Sequence, residues 1–253
     1  MTGAAILASR AASRSGSGLV TLGIPKSLEP RVAKSLLEVM QIGLPETKAA
    51  TLSPVGFEKI EDFIQKRRVN SLAVGPGLSR DKETADLVRR IVGRMGVSTV
   101  LDADGLNAFE GKPRLLKKRK SPLVLTPHRG EFERLFAVKC PQRKSARIAL
   151  AKKLSKFYDV VLVLKGHETL VVQSEKVYIN QTGNPGMAKG GSGDVLTGVL
   201  ASFIGQGLEP FMAAAWAAYF HGKAADLAVK DKTQIGLLAG DVIEFLPKAF
   251  LLV

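Results

Sequence analysis

The chain has a single cysteine, Cys140, among 253 residues. That excludes an internal disulfide, and with no second thiol there is no structural zinc spacing, so a reducing cytoplasmic setting is expected. Long apolar runs are missing too. The longest, Phe211 to Phe220, is about half of the ~20 residues a membrane-spanning helix requires and reads as a buried helix, so no membrane segment is expected. Acidic residues are scarce, 23 against 37 basic ones, which gives a formal charge of +14. Such a charge invites a nucleic-acid reading. However, Arg67-Arg68, Arg89-Arg90, Lys117 to Lys120 and Lys152-Lys153 are scattered, and the 6% aromatic content is not interleaved with them as on a single-strand platform. Solvated surface is the favoured reading, with no specific nucleic-acid partner.

No acidic residue precedes Glu29. An acid-poor start resembles an organelle transit peptide, but Ala4, Ala5, Leu7, Ala8, Ala11 and Ala12 also form the small-residue face of a tightly packed helix, followed by Gly16-Ser17-Gly18. The folded helix is the favoured reading. With 45% hydrophobic residues and no repeat or linker, the chain is expected to form one α/β domain over 1–253.

β-rich runs at Leu19 to Ile24, Ser71 to Gly75, Thr99 to Asp102, Leu123 to Thr126 and Val160 to Leu164 alternate with helix-like segments at Phe57 to Arg67, Lys82 to Met95 and Arg143 to Phe157. This predicts a mostly parallel sheet with helices on both faces. Leu170 to Val172 and Lys176 to Ile179 read as an antiparallel hairpin. Helices are expected at Val195 to Ile204, Pro210 to Val229 and Asp241 to Phe250. In such sheets ligands bind beyond the carboxyl ends of the strands. The loops expected there are Gly75-Pro76-Gly77, Asp102 to Asn107, Thr126 to Glu131 and Lys165-Gly166.

The chemically richest stretch is Asn184-Pro185-Gly186-Met187-Ala188-Lys189-Gly190-Gly191-Ser192-Gly193-Asp194, leading into an apolar helix. Glycines permit close backbone approach, and a helix start offers unpaired N–H groups and a positive dipole end, so the stretch reads as a phosphate-binding turn. Neither the P-loop nor the Rossmann spacing is present. Asp194 at that helix start suits a base taking the proton of a hydroxyl that attacks a phosphoryl group. The plain alternative is a helix N-cap. His221, alone on an apolar helix, reads as a hydrogen-bonded core residue. Asp102, Asp104, Asn107 and Glu131 have the chemistry to hold Mg²⁺ through water, but none of them stands out as a direct ligand.

Five ordered motifs carry a specific resemblance: Asp102 to Asn107; Thr126-Pro127-His128 with Gly130-Glu131; Val163-Leu164-Lys165-Gly166; Asn184 to Ala188; and Gly191-Ser192-Gly193-Asp194 with its helix. From Gly3 to about Ala228, the chain resembles the NAD(P)H-hydrate dehydratases of the ribokinase-like superfamily. The resemblance implies a three-layer α/β/α fold and a lyase that uses ADP or ATP, with Mg²⁺, to return hydrated NAD(P)H to NAD(P)H. Phosphorylation of the substrate hydroxyl would convert a poor leaving group into a good one. The resemblance further implies that Asp194 contacts substrate as the base. Ala4, Gly77 and His128 would meet the hydrated dinucleotide, and Lys165, Gly166, His167, Glu168, Thr169 and Gly193 the nucleotide. A homo-oligomer, with a tetramer as one form, and an epimerase domain or partner are also implied. Relatives carry another strand and a glycine-rich turn before the segment matching Thr2 to Ala5, so the expectation is a sheet short of its first strand. The nearest rival is a kinase of a hydroxymethyl or hydroxyethyl heterocycle on the same fold, also using Asp194.

Overall fold

The computed structural model describes residues 1–251. Six strands form the main sheet in sequence order: β3 (Ser71–Val74), β4 (Ser98–Leu101), β5 (Leu123–Leu125), β6 (Val161–Leu164), β7 (Leu170–Gln173) and β8 (Lys176–Ile179). Neighbours from β3 to β6 are parallel, while β7 and β8 return as the antiparallel hairpin. The expected three-layer architecture is what folds. One placement differs from expectation. The Leu19 to Ile24 run does not enter the main sheet, because its strand, β1 (Thr21–Pro25), pairs in parallel with β2 (Met40–Leu44) as a separate two-stranded sheet.

Strand alternation sorts the core into two layers. Val100, Val124, Val161, Val163 and Val171 face one layer, under α8 (Ser192–Gly205), α9 (Pro210–Gly236) and α10 (Ala239–Phe250). Leu101, Leu123, Leu125, Leu162 and Leu164 face the other, under α3 (Phe57–Arg67), α4 (Lys82–Arg94), α6 (Arg129–Phe136) and α7 (Lys144–Tyr158). Both faces of the strands are covered, hence their continuous apolar sequences. α9 runs past the expected Val229 and is kinked at Thr233, whose φ is 59°.

The alanine-rich start folds as α1 (Thr2–Arg14), burying Ala4, Ala8, Ala11 and Ala12. It packs on α8 at backbone contact: a Cβ on Gly198 would stand 2.1 Å from the Ala8 carbonyl oxygen. Among the described residues, no helix is long and apolar enough to cross a membrane.

Candidate active site

The strand-end loops meet where expected, and two glycines make the approach feasible. Gly75 has φ +139°, and a Cβ there would lie 1.8 Å from the Asp102 carbonyl oxygen. At Gly105, in the short helix α5 (Ala103–Asn107), a Cβ would lie 2.5 Å from the Val74 carbonyl oxygen. The ends of β3 and β4 are thus pressed together, which sends Asp102 inward.

Asp102 is 1% exposed. Its Oδ1 accepts hydrogen bonds from Thr126 Oγ1 at 2.7 Å and Lys165 Nζ at 2.6 Å, and its Oδ2 accepts one from Thr197 Oγ1 at 2.8 Å. A buried carboxylate needs such partners. Lys165 Nζ also stands 3.7 Å from Glu131 Oε2. Burial disfavours the ammonium, yet Asp102 and Glu131 outweigh it and hold the Lys165 pKa above its ordinary value. Asp102 and Glu131, which have the chemistry to hold Mg²⁺ through water, thus both contact Lys165, and Asp102 two threonines as well. Asp104 likewise accepts from the Ser79 amide at 2.8 Å and Asn107 Nδ2 at 3.2 Å. Among the described residues, no three His, Cys, Asp or Glu side chains gather as a metal site.

Asp194 occupies the first turn of α8, two residues beyond Ser192. The N-cap is Gly191, in left-handed conformation at φ 92°, and no side chain caps this helix. That removes the plain reading of Asp194 as a cap. It also leaves the first amides of α8 without intrahelical or side-chain partners, which is the arrangement that holds an anion. Burial, then the negative charge of Asp102, push the Asp194 carboxyl up from 3.8 to about 6, with Lys165 pulling the other way. A Cβ on Gly193 would sit 3.2 Å from Lys165 Nζ and 3.9 Å from Asp102 Oδ2. Lysine, aspartate pair and uncapped helix start thus surround one point.

His128 caps α6: its Nδ1 accepts from the amides of Gly130 at 3.0 Å and Glu131 at 3.3 Å, while Glu131 Oε2 accepts from the His128 amide at 2.8 Å. Its ring remains largely exposed at the loop edge. The bridge between His128 and Lys165, with the Lys165 amide donating to the Pro127 carbonyl at 2.9 Å, seats the two loops side by side. Beyond Lys165, Gly166 and His167 are exposed, Thr169 Oγ1 donates to the Gly166 carbonyl at 3.0 Å, and Glu168 accepts from Lys144 Nζ at 2.8 Å. Gly77 lies on the far side, by the start of α1, the helix that carries Ala4, and its carbonyl accepts from the Met1 ammonium at 2.7 Å.

Sequence reasoning did not single out Thr197. It lies three residues after Asp194 on one helix, and that spacing was the available signal. His221 is buried as expected, but it also reaches the site: its Nε2 is 3.3 Å from Ser192 Oγ. Burial drives its imidazole down to about 4. The Asn184 side chain has a structural role, donating to Asp226 at 2.9 Å and accepting from the Gly186 amide at 3.0 Å.

A family model described as NAD(P)H-hydrate dehydratase matches residues 1–248. The chain belongs to that family. A bifunctional NAD(P)H-hydrate repair enzyme of Moorella thermoacetica is 44% identical over 98% of this chain and 46% of its own length. The chain thus spans about half the length of such curated relatives. An ADP-dependent (S)-NAD(P)H-hydrate dehydratase of Bacillus subtilis is 31% identical, over 99% of this chain and 85% of its own. The crystal structure of the B. subtilis ADP/ATP-dependent NAD(P)H-hydrate dehydratase, co-crystallised with ATP/Mg²⁺, is similar at TM-score 0.80 and 29% identity, covering 99% of this chain and 85% of that one. Hydroxyethylthiazole kinase of Pyrococcus horikoshii shares the fold at TM-score 0.63 and 17% identity, a level that speaks only to fold. The dehydratase family therefore includes this chain, and the kinase rival is not favoured.

Proposed function

We propose that this member of the dehydratase family performs the ADP- or ATP-dependent dehydration of hydrated NAD(P)H. The supporting observation is the uncapped start of α8 carrying Asp194, whose proton affinity is raised to about 6. A base with a value near the working pH is ionised and still holds a transferred proton. In the proposed sequence, Asp194 takes the proton of the substrate hydroxyl as its oxygen bonds to the terminal phosphorus of ADP or ATP and the bond to AMP or ADP breaks. The α8 amides hold the transferring phosphoryl oxygens, and Lys165, oriented by Asp102, offsets their charge. The C–O bond then breaks, phosphate departs, and the neighbouring carbon loses a proton, restoring the ring double bond.

Gly193 and the loop from Lys165 to Thr169 are proposed to seat the nucleotide, and Ala4, Gly77 and His128 the hydrated dinucleotide. Mg²⁺ would supply charge neutralisation on the phosphates. Such an ion usually keeps several waters and uses few carboxylates, so it would be held largely by phosphate and water. Homo-oligomerisation, a cytoplasmic setting and action alongside an epimerase belong to the same proposal; the bifunctional relatives support the last.

The test is turnover of hydrated NADH with ADP and with ATP, followed at the reduced-nicotinamide absorbance. Wild type should restore the absorbance. Asp194→Asn should lower turnover by about 10²–10⁴ while ADP affinity holds and the chain stays folded. An active, normally folded Asn variant would refute the assignment, and phosphorylation of a heterocyclic alcohol without absorbance recovery would favour the kinase.

A further inference from the structure

A row of contacts links the two loops proposed to meet the hydrated dinucleotide. It begins two residues beyond Gly77, where the Ser79 amide donates to Asp104 Oδ2 at 2.8 Å. Asn107 Nδ2 donates to the other Asp104 oxygen at 3.2 Å, which leaves Asn107 Oδ1 free to accept from Arg134 Nη2 at 3.4 Å. The row ends on the loop that carries His128. A Cβ built on Gly130 would stand 3.1 Å from His128 Cε1 and 3.4 Å from Arg134 Nη1. Imidazole and guanidinium therefore flank one open point.

Charge and geometry at that point favour an anion. Arg134 is exposed on α6 and makes no ion pair among the described residues, whereas Arg80 pairs with Glu110 and Arg129 with Glu133. Its Nη2 is steadied by a neutral amide oxygen, so its charge stays uncompensated. His128 Nδ1 accepts from the amides of Gly130 and Glu131, which places the ring proton on Nε2 and makes that atom a donor. Nε2 stands 3.5 Å from Glu131 Oε1, too far for a good hydrogen bond, and Glu131 already serves the His128 amide and Lys165. Glycine inside a helix is destabilising relative to alanine. At Gly130 the missing side chain keeps the space between ring and guanidinium clear.

We propose that Arg134, together with His128, binds a phosphate group of the hydrated dinucleotide, an inference that rests on the proposed function of the site. A planar, permanently charged fork beside a second donor matches phosphate oxygens. The substrate offers two such groups: the pyrophosphate common to both hydrates, and the 2′-phosphate that only hydrated NADPH carries. The phosphates of ADP or ATP have their own donors at the head of α8 and at Lys165. A phosphate contact away from the reacting C–O bond is the same before and during the chemistry, so its loss raises KM and spares kcat.

The experiment measures turnover of hydrated NADH and of hydrated NADPH, each with saturating ADP, by wild type and Arg134→Gln. Calorimetric titration of each hydrate onto both proteins without nucleotide accompanies it. Arg134→Gln should raise KM and Kd at least tenfold while kcat and the KM for ADP stay unchanged. A rise confined to hydrated NADPH assigns the contact to the 2′-phosphate, and an equal rise for both hydrates assigns it to the pyrophosphate. Arg129→Gln removes an equal charge from the same helix and should leave KM and Kd within about twofold of wild type, because a general positive field is not the cause. Equal losses in the two variants would overturn the proposal, as would unchanged values in Arg134→Gln or a loss confined to ADP. A wild type that binds the hydrates through Arg134 without turning them over would sink the dehydratase reading and leave this inference standing.

Discussion

At pH 7 the Asp194 carboxylate is ionised against the pull of burial and of Asp102, and that tension has a sign. Its folded-state value, about 6, lies above its ordinary 3.8. The stability associated with the protonated form is full below 3.8 and is lost as pH rises through 6. Asp194→Asn should therefore melt higher than wild type at pH 8, by on the order of 1 kcal/mol once partial exposure is discounted, and the difference should vanish near pH 4. Paired melts at the two pH values check it, and a constant difference would count against the raised value. Activity should show the same group as an acid limb near pH 6. Asp102→Asn removes the second cause of the shift and frees Lys165, so the limb should move to lower pH, a displacement that a purely structural role for Asp102 would not produce. The threonines that hold Asp102 were not legible in the sequence, because a hydroxyl declares its partner only once strand ends and a helix face meet. The place of Asp194 at a helix start, by contrast, was legible from its glycines.

The helices and strands of the main sheet were largely legible, since Phe57 to Arg67 and Lys176 to Ile179 fold with the bounds their periodicity suggests. β2 was not, because Met40-Gln41-Ile42-Gly43-Leu44 carries a glycine and a polar residue and gains strand geometry only by pairing with β1. α6 was hidden inside a stretch read as a loop motif, although His128 and Glu131 form its capping box. Two element-level outcomes follow. Gly75→Ala forces a side chain into the Asp102 carbonyl at a backbone angle only glycine tolerates, so it should cost about 3 kcal/mol or more in denaturant unfolding. At the His221 contact, the buried imidazole has its value lowered from 6.5 to about 4. Its contribution to stability is therefore present above 6.5 and lost as pH falls toward 4. His221→Gln should flatten the fall in melting temperature over that range, and an unchanged slope would show that His221 does not titrate there.

Over the whole molecule, 37 basic against 23 acidic residues create a positive field around a site that itself holds three carboxylates and one lysine close together. Long-range attraction of an anionic nucleotide acts before contact and is screened by salt. Raising salt should thus lower kcat/KM while leaving kcat nearly unchanged, which initial rates at several ionic strengths will show. A sheet short of its first strand was expected from the resemblance alone, whereas the pairing of β1 with β2 outside the main sheet was not legible, because edge pairing is a long-range property of the folded chain.

The backbone contact between Ala8 and Gly198 ties together two places that are otherwise far apart in role. α1 carries Ala4 on the proposed substrate side, and α8 carries Asp194 at its start. Two helices touching without intervening side chains have little room to slide, so a ligand that settles α1 also settles the amides at the head of α8. Thermodynamic reciprocity then fixes a number in both directions: whatever factor the hydrated dinucleotide adds to ADP affinity, ADP must add to the affinity for the hydrated dinucleotide. Gly198→Ala, which pries the helices apart, should bring that shared factor toward one.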